Sequence, residues 1–141
     1  KVLRGHTHWI YGVTVSSDGL WAASGGSDHT IRVWNLASDA SSAVTVLKEH
    51  TGTVRDVAFC GLAQRLASAS GDKTVRLWDL KNATSQVPGA RVGLRSSRSA
   101  AGLGALRRQV LTRHSGVARC VACCDAGRFV FSGGDDKVIR V

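Results

Sequence analysis

The sequence contains no methionine, so Lys1 is not an initiator, and the chain is expected to be a piece of a longer protein. No apolar run reaches the roughly 18–20 residues that a bilayer span needs, and the N-terminus lacks the pattern of a secretory signal. These absences lead us to expect a soluble protein of the cell interior, cytoplasmic or nuclear, without membrane contact. Acidic residues are scarce, with 10 Asp and Glu against 19 Lys and Arg and a formal net charge of +9. None occurs from Leu80 to Cys124. With 43% hydrophobic and 21% charged residues, the composition is globular and excludes a disordered or collagen-like chain. The 141 residues suffice for one domain with a real core.

Cysteine is present but poorly arranged for a disulfide scaffold. Cys120, Cys123 and Cys124 crowd into five residues, and Cys60 stands far upstream. Close neighbours on one strand point to opposite faces, which argues against a framework of bridges. Cys120-x-x-Cys123 has no second pair and no following histidine at zinc-finger spacing, so no metal site is expected. Buried free thiols are the expectation.

What the sequence does have is repetition. "RGHTHWIYGVTVSSDGLWAASGGSDHTIRVWNL" aligns with "KEHTGTVRDVAFCGLAQRLASASGDKTVRLWDL" and with "TRHSGVARCVACCDAGRFVFSGGDDKVIRV". His6, His50 and His114 each precede an aspartate, Asp28, Asp72 or Asp136, by 22 residues. Ser24, Ser68 and Ser132 stand four before those aspartates, and Trp34 and Trp78 six beyond the first two. A third tryptophan at that spacing would fall directly after Val141, so the expectation is a truncated third copy.

Between these markers, short apolar and β-branched runs read as strands. Tyr11–Ser16, Val54–Cys60 and Val117–Cys123 form a first set. Leu20–Ser24, Arg65–Ser70 and Arg128–Gly133 form a second, and Ile31–Asn35, Val75–Asp79 and Val138–Val141 a third. Fourth strands fit Ala43–Lys48, Arg108–Thr112 and the opening Lys1–Leu3. Turn residues separate them, including Ser17-Asp18-Gly19, Gly26-Ser27-Asp28, Ser70-Gly71-Asp72 and Gly134-Asp135-Asp136.

Gly5-His6, Trp34-Asn35, Trp78-Asp79 and the constant His-to-Asp spacing resemble the WD-repeat family of β-propellers over nearly the whole chain. Glu49-His50 and Arg113-His114 depart from Gly-His, and Asn35 replaces the aspartate of the first WD pair. The resemblance implies an all-β fold of four-stranded antiparallel blades, about three of them in an incomplete ring. The units expected are 3–46, 47–110 and a truncated 111–141, with a basic low-complexity insertion at 82–109.

His6, Ser24 and Asp28 could be drawn as a catalytic triad, and Gly25-Gly26 as a phosphate loop. A catalytic set occurs once, in a cleft, whereas this trio occurs in three copies. A phosphate loop opens a helix, and Gly25-Gly26 leads into a strand turn. The resemblance implies a structural network instead. It would comprise His6, Ser24, Asp28 and Trp34; His50, Ser68, Asp72 and Trp78; and His114, Ser132 and Asp136. Indole N–H donates to serine, serine O–H to one imidazole nitrogen, and the other N–H to aspartate. No enzymatic activity, cofactor or small-molecule substrate is expected.

The resemblance also implies partner-contact positions three and five residues after each histidine and one before each aspartate. These are Trp9, Tyr11 and Ser27; Thr53, Arg55 and Gly71; and Val117, Arg119 and Asp135. Trp9 and Tyr11 could serve as interface anchors or pack inward against a neighbouring blade. Trp21 and Phe129 are expected to pack between blades, and His8 and His29 to be solvated. The insertion carries Arg91, Arg95, Arg98, Arg107 and Arg108. It reads as an outer loop, a docking loop for an acidic partner or a nucleic-acid contact; the lack of aromatic residues in it weakens the last. The function that fits best is a scaffold for protein or peptide partners. An RNA-associated propeller and the WD-repeat part of a larger multidomain enzyme are the alternatives.

Overall fold

The computed structural model describes residues 1–37, 45–61, 65–80, 108–124 and 127–141. These hold eleven β-strands and no helix. The first sheet contains β1 (Ile10–Val15), β2 (Trp21–Gly26), β3 (Ile31–Asn35) and β4 (Thr45–Leu47). The second contains β5 (Val54–Cys60), β6 (Arg65–Ser70), β7 (Thr74–Asp79) and β8 (Arg108–Arg113). The third contains β9 (Ala118–Cys123), β10 (Val130–Gly134) and β11 (Ile139–Arg140). Each sheet is an antiparallel meander whose spatial order follows the chain. The architecture is therefore all-β, with four-stranded antiparallel blades and a ring that is not closed.

The local chemistry explains the hairpins. Asp18 accepts a hydrogen bond from the Leu20 amide at 3.0 Å while Gly19 takes φ +70°, which turns β1 into β2. The turns after β2, β6 and β10 share one geometry. His29, Lys73 and Lys137 donate their amides to Gly26, Ser70 and Gly134 at 3.0–3.2 Å, and all three occupy the left-handed region, φ 62–69°.

Two apolar cores fill the wedges between blades. Trp21, Ile31, Val33, Val54, Leu66 and Trp78 pack between the first and second sheets. Cys60, Ala67, Ala69, Val75, Ala118 and Val121 pack between the second and third. The two-residue alternation of a strand sends Leu66 to one core and Ala67 and Ala69 to the other. Both faces of the middle sheet are thus covered. Val13 and Val15 on the first sheet and Phe129, Phe131 and Ile139 on the third remain exposed.

The inner strands β1, β5 and β9 touch in succession, and three features draw them together. Gly12 lies so close to β5 that a Cβ there would stand 2.8 Å from Asp56 Cα, a distance only glycine permits. The Asp56 carboxylate accepts the Val121 amide of β9 at 3.0 Å, across the gap between blades. Cys60 and Cys123 form a disulfide with their Cα atoms 5.2 Å apart.

Several expectations change. Free thiols were expected throughout, but Cys60 is bridged and Cys120 is exposed. The partner of Cys60 lies on the facing edge of the next blade, which spacing within 120–124 does not reveal. Phe129, expected between blades, is 53% exposed because it sits beyond the last described core, whereas Trp21 is buried in the first. Lys1–Leu3 forms no strand, since a ladder needs a third strand beside it and none pairs there among the described residues. Arg91, Arg95, Arg98 and Arg107, with most of the expected insertion 82–109, lie outside the described residues, and Arg108 opens β8.

Candidate functional site

Each blade contains one hydrogen-bonded relay, which in the first two starts at a tryptophan of the third strand. In the first, Trp34 Nε1 donates to Ser24 Oγ at 2.9 Å, and Ser24 Oγ meets His6 Nε2 at 2.7 Å. His6 Nδ1 meets Asp28 Oδ2 at 2.8 Å. In the second, Trp78 donates to Ser68 at 2.9 Å, and His50 bridges Ser68 and Asp72 at 2.7 Å each. In the third, His114 joins Ser132 at 3.0 Å and Asp136 at 2.8 Å. One proton arrangement satisfies every atom: indole to serine, serine to Nε2, and Nδ1–H to carboxylate.

The electrostatics fit a holding role. Burial opposes ionisation of Asp28, but hydrogen bonds from Thr30, His6 and the Thr7 amide outweigh it and hold the carboxyl at about 2. Burial likewise opposes ionisation of Asp72, and bonds from Thr74 and His50 bring it to about 2. Burial pushes the His50 imidazole down, against the pull of Asp72. Asp72 is thus charged beside a neutral His50 imidazole that donates to it. All three serines are buried, and Ser24 and Ser68 each accept an indole N–H and meet an imidazole nitrogen, so none of the three is an exposed nucleophile. Gly25 and Gly26 lie in β2, and a Cβ on Gly26 would meet Trp9 O at 2.9 Å, so no anion cradle opens there.

The partner-contact candidates lie along the edge where the inner strands begin. One backbone bond per blade joins them: Ser27 N to Trp9 O, Gly71 N to Thr53 O, and Asp135 N to Val117 O, at 2.8–2.9 Å. The strand register then does something specific at the neighbouring residue. Ile10 pairs with Gly26 and Gly12 with Gly25, which leaves Tyr11 as an extra, bulged residue. Val54 pairs with Ser70 and Asp56 with Ala69, which leaves Arg55. Cys120 pairs with Gly133 and Ala118 with Gly134, which leaves Arg119. A β-bulge bends its strand and re-aims the extra side chain.

The three bulged side chains make a row across successive blades. The Arg55 guanidinium lies over the Tyr11 ring, 4.7 Å from its centroid. Arg119 forms a two-point ion pair with Asp135, at 2.6 and 2.9 Å. That hydrogen bond, chiefly, holds the Asp135 carboxyl below its usual range, and Arg55 adds to the effect by its charge. Beside the row, Trp9 is 78% exposed and Tyr11 45% exposed, so neither packs inward among the described residues. His8 and His29 are also exposed.

Residues outside the expected set complete the site. Thr30 and Thr74 donate both amide and hydroxyl to Asp28 and Asp72, at 2.6–3.1 Å. Their common offset, two residues past each aspartate, was a readable signal. Val138 occupies that offset in the third blade and donates only its amide, at 3.3 Å. Asp56 carried no such signal, because the corresponding residues are Gly12 and Cys120. Among the described residues, no group of three or more His, Cys, Asp or Glu side chains could hold a metal ion.

Comparison with known proteins bears on both fold and relay. A family model described as "WD domain, G-beta repeat" matches residues 1–35, 41–79 and 106–141. The chain is similar to the nuclear distribution protein PAC1-2 of Uncinocarpus reesii, 28% identical over 142 aligned residues, covering 99% of the chain and 30% of that protein. It is similar to the pre-mRNA-splicing factor PRP46 of Eremothecium gossypii, 43% identical over 58 residues, covering 40% of the chain and 13% of that protein. It is also similar to Cell division cycle 20.1, cofactor of APC complex, of Arabidopsis thaliana, 34% identical over 64 residues, covering 43% and 14% respectively. The chain thus spans 13–30% of the length of these relatives. Three repeated relays, three meander sheets and three matched segments together place the chain in the WD40 repeat family.

Proposed function

We propose that the chain is a non-enzymatic adaptor that presents the bulged inner-strand residues Tyr11, Arg55 and Arg119, flanked by Trp9, to a protein or peptide partner. Proteins of this family are generally interaction scaffolds. The observation that carries the reading is the recurrence of one bulge per blade at the same edge. Aromatic and arginine side chains dominate interface hot spots because they bury much area at small entropic cost. Trp9, Tyr11 and Arg55 are such side chains on a rigid edge. Ser27, Thr53, Gly71, Val117 and Asp135 supply the backbone frame beneath them.

The relatives' names support this class of role. One is a splicing factor and one a cofactor of the APC complex. By analogy the chain works inside the cell, in the nucleus or cytoplasm, within a larger assembly. There the Cys60–Cys123 bridge would face reducing conditions. Capture of partners from a cell extract, with wild type beside Trp9→Ala/Tyr11→Ala/Arg55→Ala, tests the reading. Loss of one partner set in the triple variant, with an unchanged melting curve, is the expected result. An unchanged set of captured proteins refutes it.

A second reading rests on the acid-free, Arg-bearing stretch from Leu80 to Cys124, which would favour a nucleic-acid backbone. Deleting 85–107 should then abolish salt-dependent RNA binding; equal or absent binding removes it. The relatives are far longer than the chain, so a fused catalytic domain belongs to a third reading, which the full open reading frame decides.

A further inference from the structure

We propose that the partner segment seated on this edge is an acidic peptide that places a carboxylate against Arg55 and an apolar side chain against Trp9. The inference rests on the adaptor reading and names the chemistry of the ligand.

The acids of this edge are already committed. Asp28, Asp72 and Asp136 each accept from a histidine and from backbone amides. Asp56 accepts the amides of Val57 and Val121. Glu49 faces Arg76, and Asp135 is held at two points by Arg119. The cations are less engaged. Arg55 lays its face on Tyr11, and its buried Nε has no hydrogen-bond partner. Lys73 and Lys137 stand exposed at the tips of the turns after β6 and β10.

Charge complementarity therefore favours an anionic ligand at the edge. The guanidinium geometry selects a planar carboxylate, because parallel N–H groups at its edge match two oxygens in its plane while one face keeps the aromatic stack on Tyr11. Tyr11 fixes the plane of Arg55 before binding, which reduces the entropy lost when a carboxylate arrives. Trp9 adds an apolar contact beside that charge. A cationic ligand would meet Arg55, Lys73 and Lys137 with no uncommitted carboxylate to offset them.

The test uses the 141-residue chain and a fluorescently labelled peptide of about ten residues, with glutamates around one phenylalanine. Anisotropy is read at low and physiological salt for this peptide, for its lysine counterpart, and for a labelled oligouridylate of similar length. The expected result is binding of the glutamate peptide alone, weakened by salt. Arg55→Gln should weaken it about tenfold. Arg128→Gln, on an exposed arginine at the opposite edge, should leave it unchanged.

Equal binding of the lysine peptide, or stronger binding of the oligouridylate at Arg55, overturns the proposal. So does an Arg55→Gln variant that binds the glutamate peptide as wild type does. If Trp9→Ala loses the captured partner while Arg55→Gln keeps it, the acidic chemistry falls and the adaptor edge stands. If neither variant affects any binding, both fall.

Discussion

Asp72 gives the sharpest test of the relay, because its carboxylate collects four hydrogen bonds at once. It accepts from His50 Nδ1 at 2.7 Å, Thr51 N at 3.1 Å, Thr74 N at 3.0 Å and Thr74 Oγ1 at 2.6 Å. In Asp72→Ala all four donors lose their acceptor. Thr51 is exposed, and water replaces the carboxylate there. His50 and Thr74 are buried, at 4% and 3% exposure, and water does not reach them as easily. The Thr74 hydroxyl, 3.5 Å from His50 Nδ1, can turn toward the ring and recover part of one bond. A buried donor left unpaired costs about 1–3 kcal/mol, so one to two such donors give a loss of about 3 kcal/mol. For a chain of this size that lowers the melting temperature by about 10 °C. Thermal and urea unfolding followed by tryptophan fluorescence measure both numbers, with an unchanged urea m-value showing that the loss is one of stability. Asp72→Asn keeps an acceptor and should lose less. Asp135→Ala, which removes a carboxylate paired at the surface, should scarcely move the midpoint. An Asp72→Ala variant that melts within a degree or two of wild type would refute the network as a source of stability.

Acid should weaken the fold in a defined window. Asp28 and Asp72 sit at about 2 against an ordinary 3.8, so the unfolded chain takes up protons first as pH falls. Their contribution is complete above about pH 4 and is lost as pH drops through 2. For Asp72 it amounts to roughly 2 kcal/mol at face value, reduced to roughly 1 by solvent screening. His50, pushed down by burial, adds a loss that begins below 6.5 because the unfolded imidazole protonates first. Urea midpoints that stay level between pH 4 and 2.5 would contradict this. Reduction of the Cys60–Cys123 bridge, which spans 63 residues, should cost about 4 kcal/mol by loop-closure entropy. Cys60→Ser should then match reduced wild type in denaturant, whereas Cys120→Ser should match oxidised wild type. Gly12→Ala should cost about 1–3 kcal/mol by forcing β1 off the Asp56 backbone; a neutral result in thermal melts would mean that the blades part freely there.

The sequence by itself determined the blade. His50, Ser68, Asp72 and Trp78 lie within one repeat, and antiparallel hairpins bring them together through local register, so their spacing is a direct record of their contact. The strands were legible for the same reason, with ends displaced by one or two residues where a rim glycine such as Gly26 continues the ladder. The rim positions came from the family resemblance, as offsets from histidine and aspartate, and their contact role is the proposal made above. Only the tertiary structure decided what happens between blades. Asp56 with the Val121 amide, Cys60 with Cys123, and Arg55 over Tyr11 each join residues of neighbouring repeats. Such contacts depend on how two sheets pack, and no periodicity records that. The bulges at Tyr11, Arg55 and Arg119 were hidden for a second reason. A bulge shifts hydrogen-bond register by one residue without any required turn residue, and here it falls on Tyr in one blade and on Arg in two.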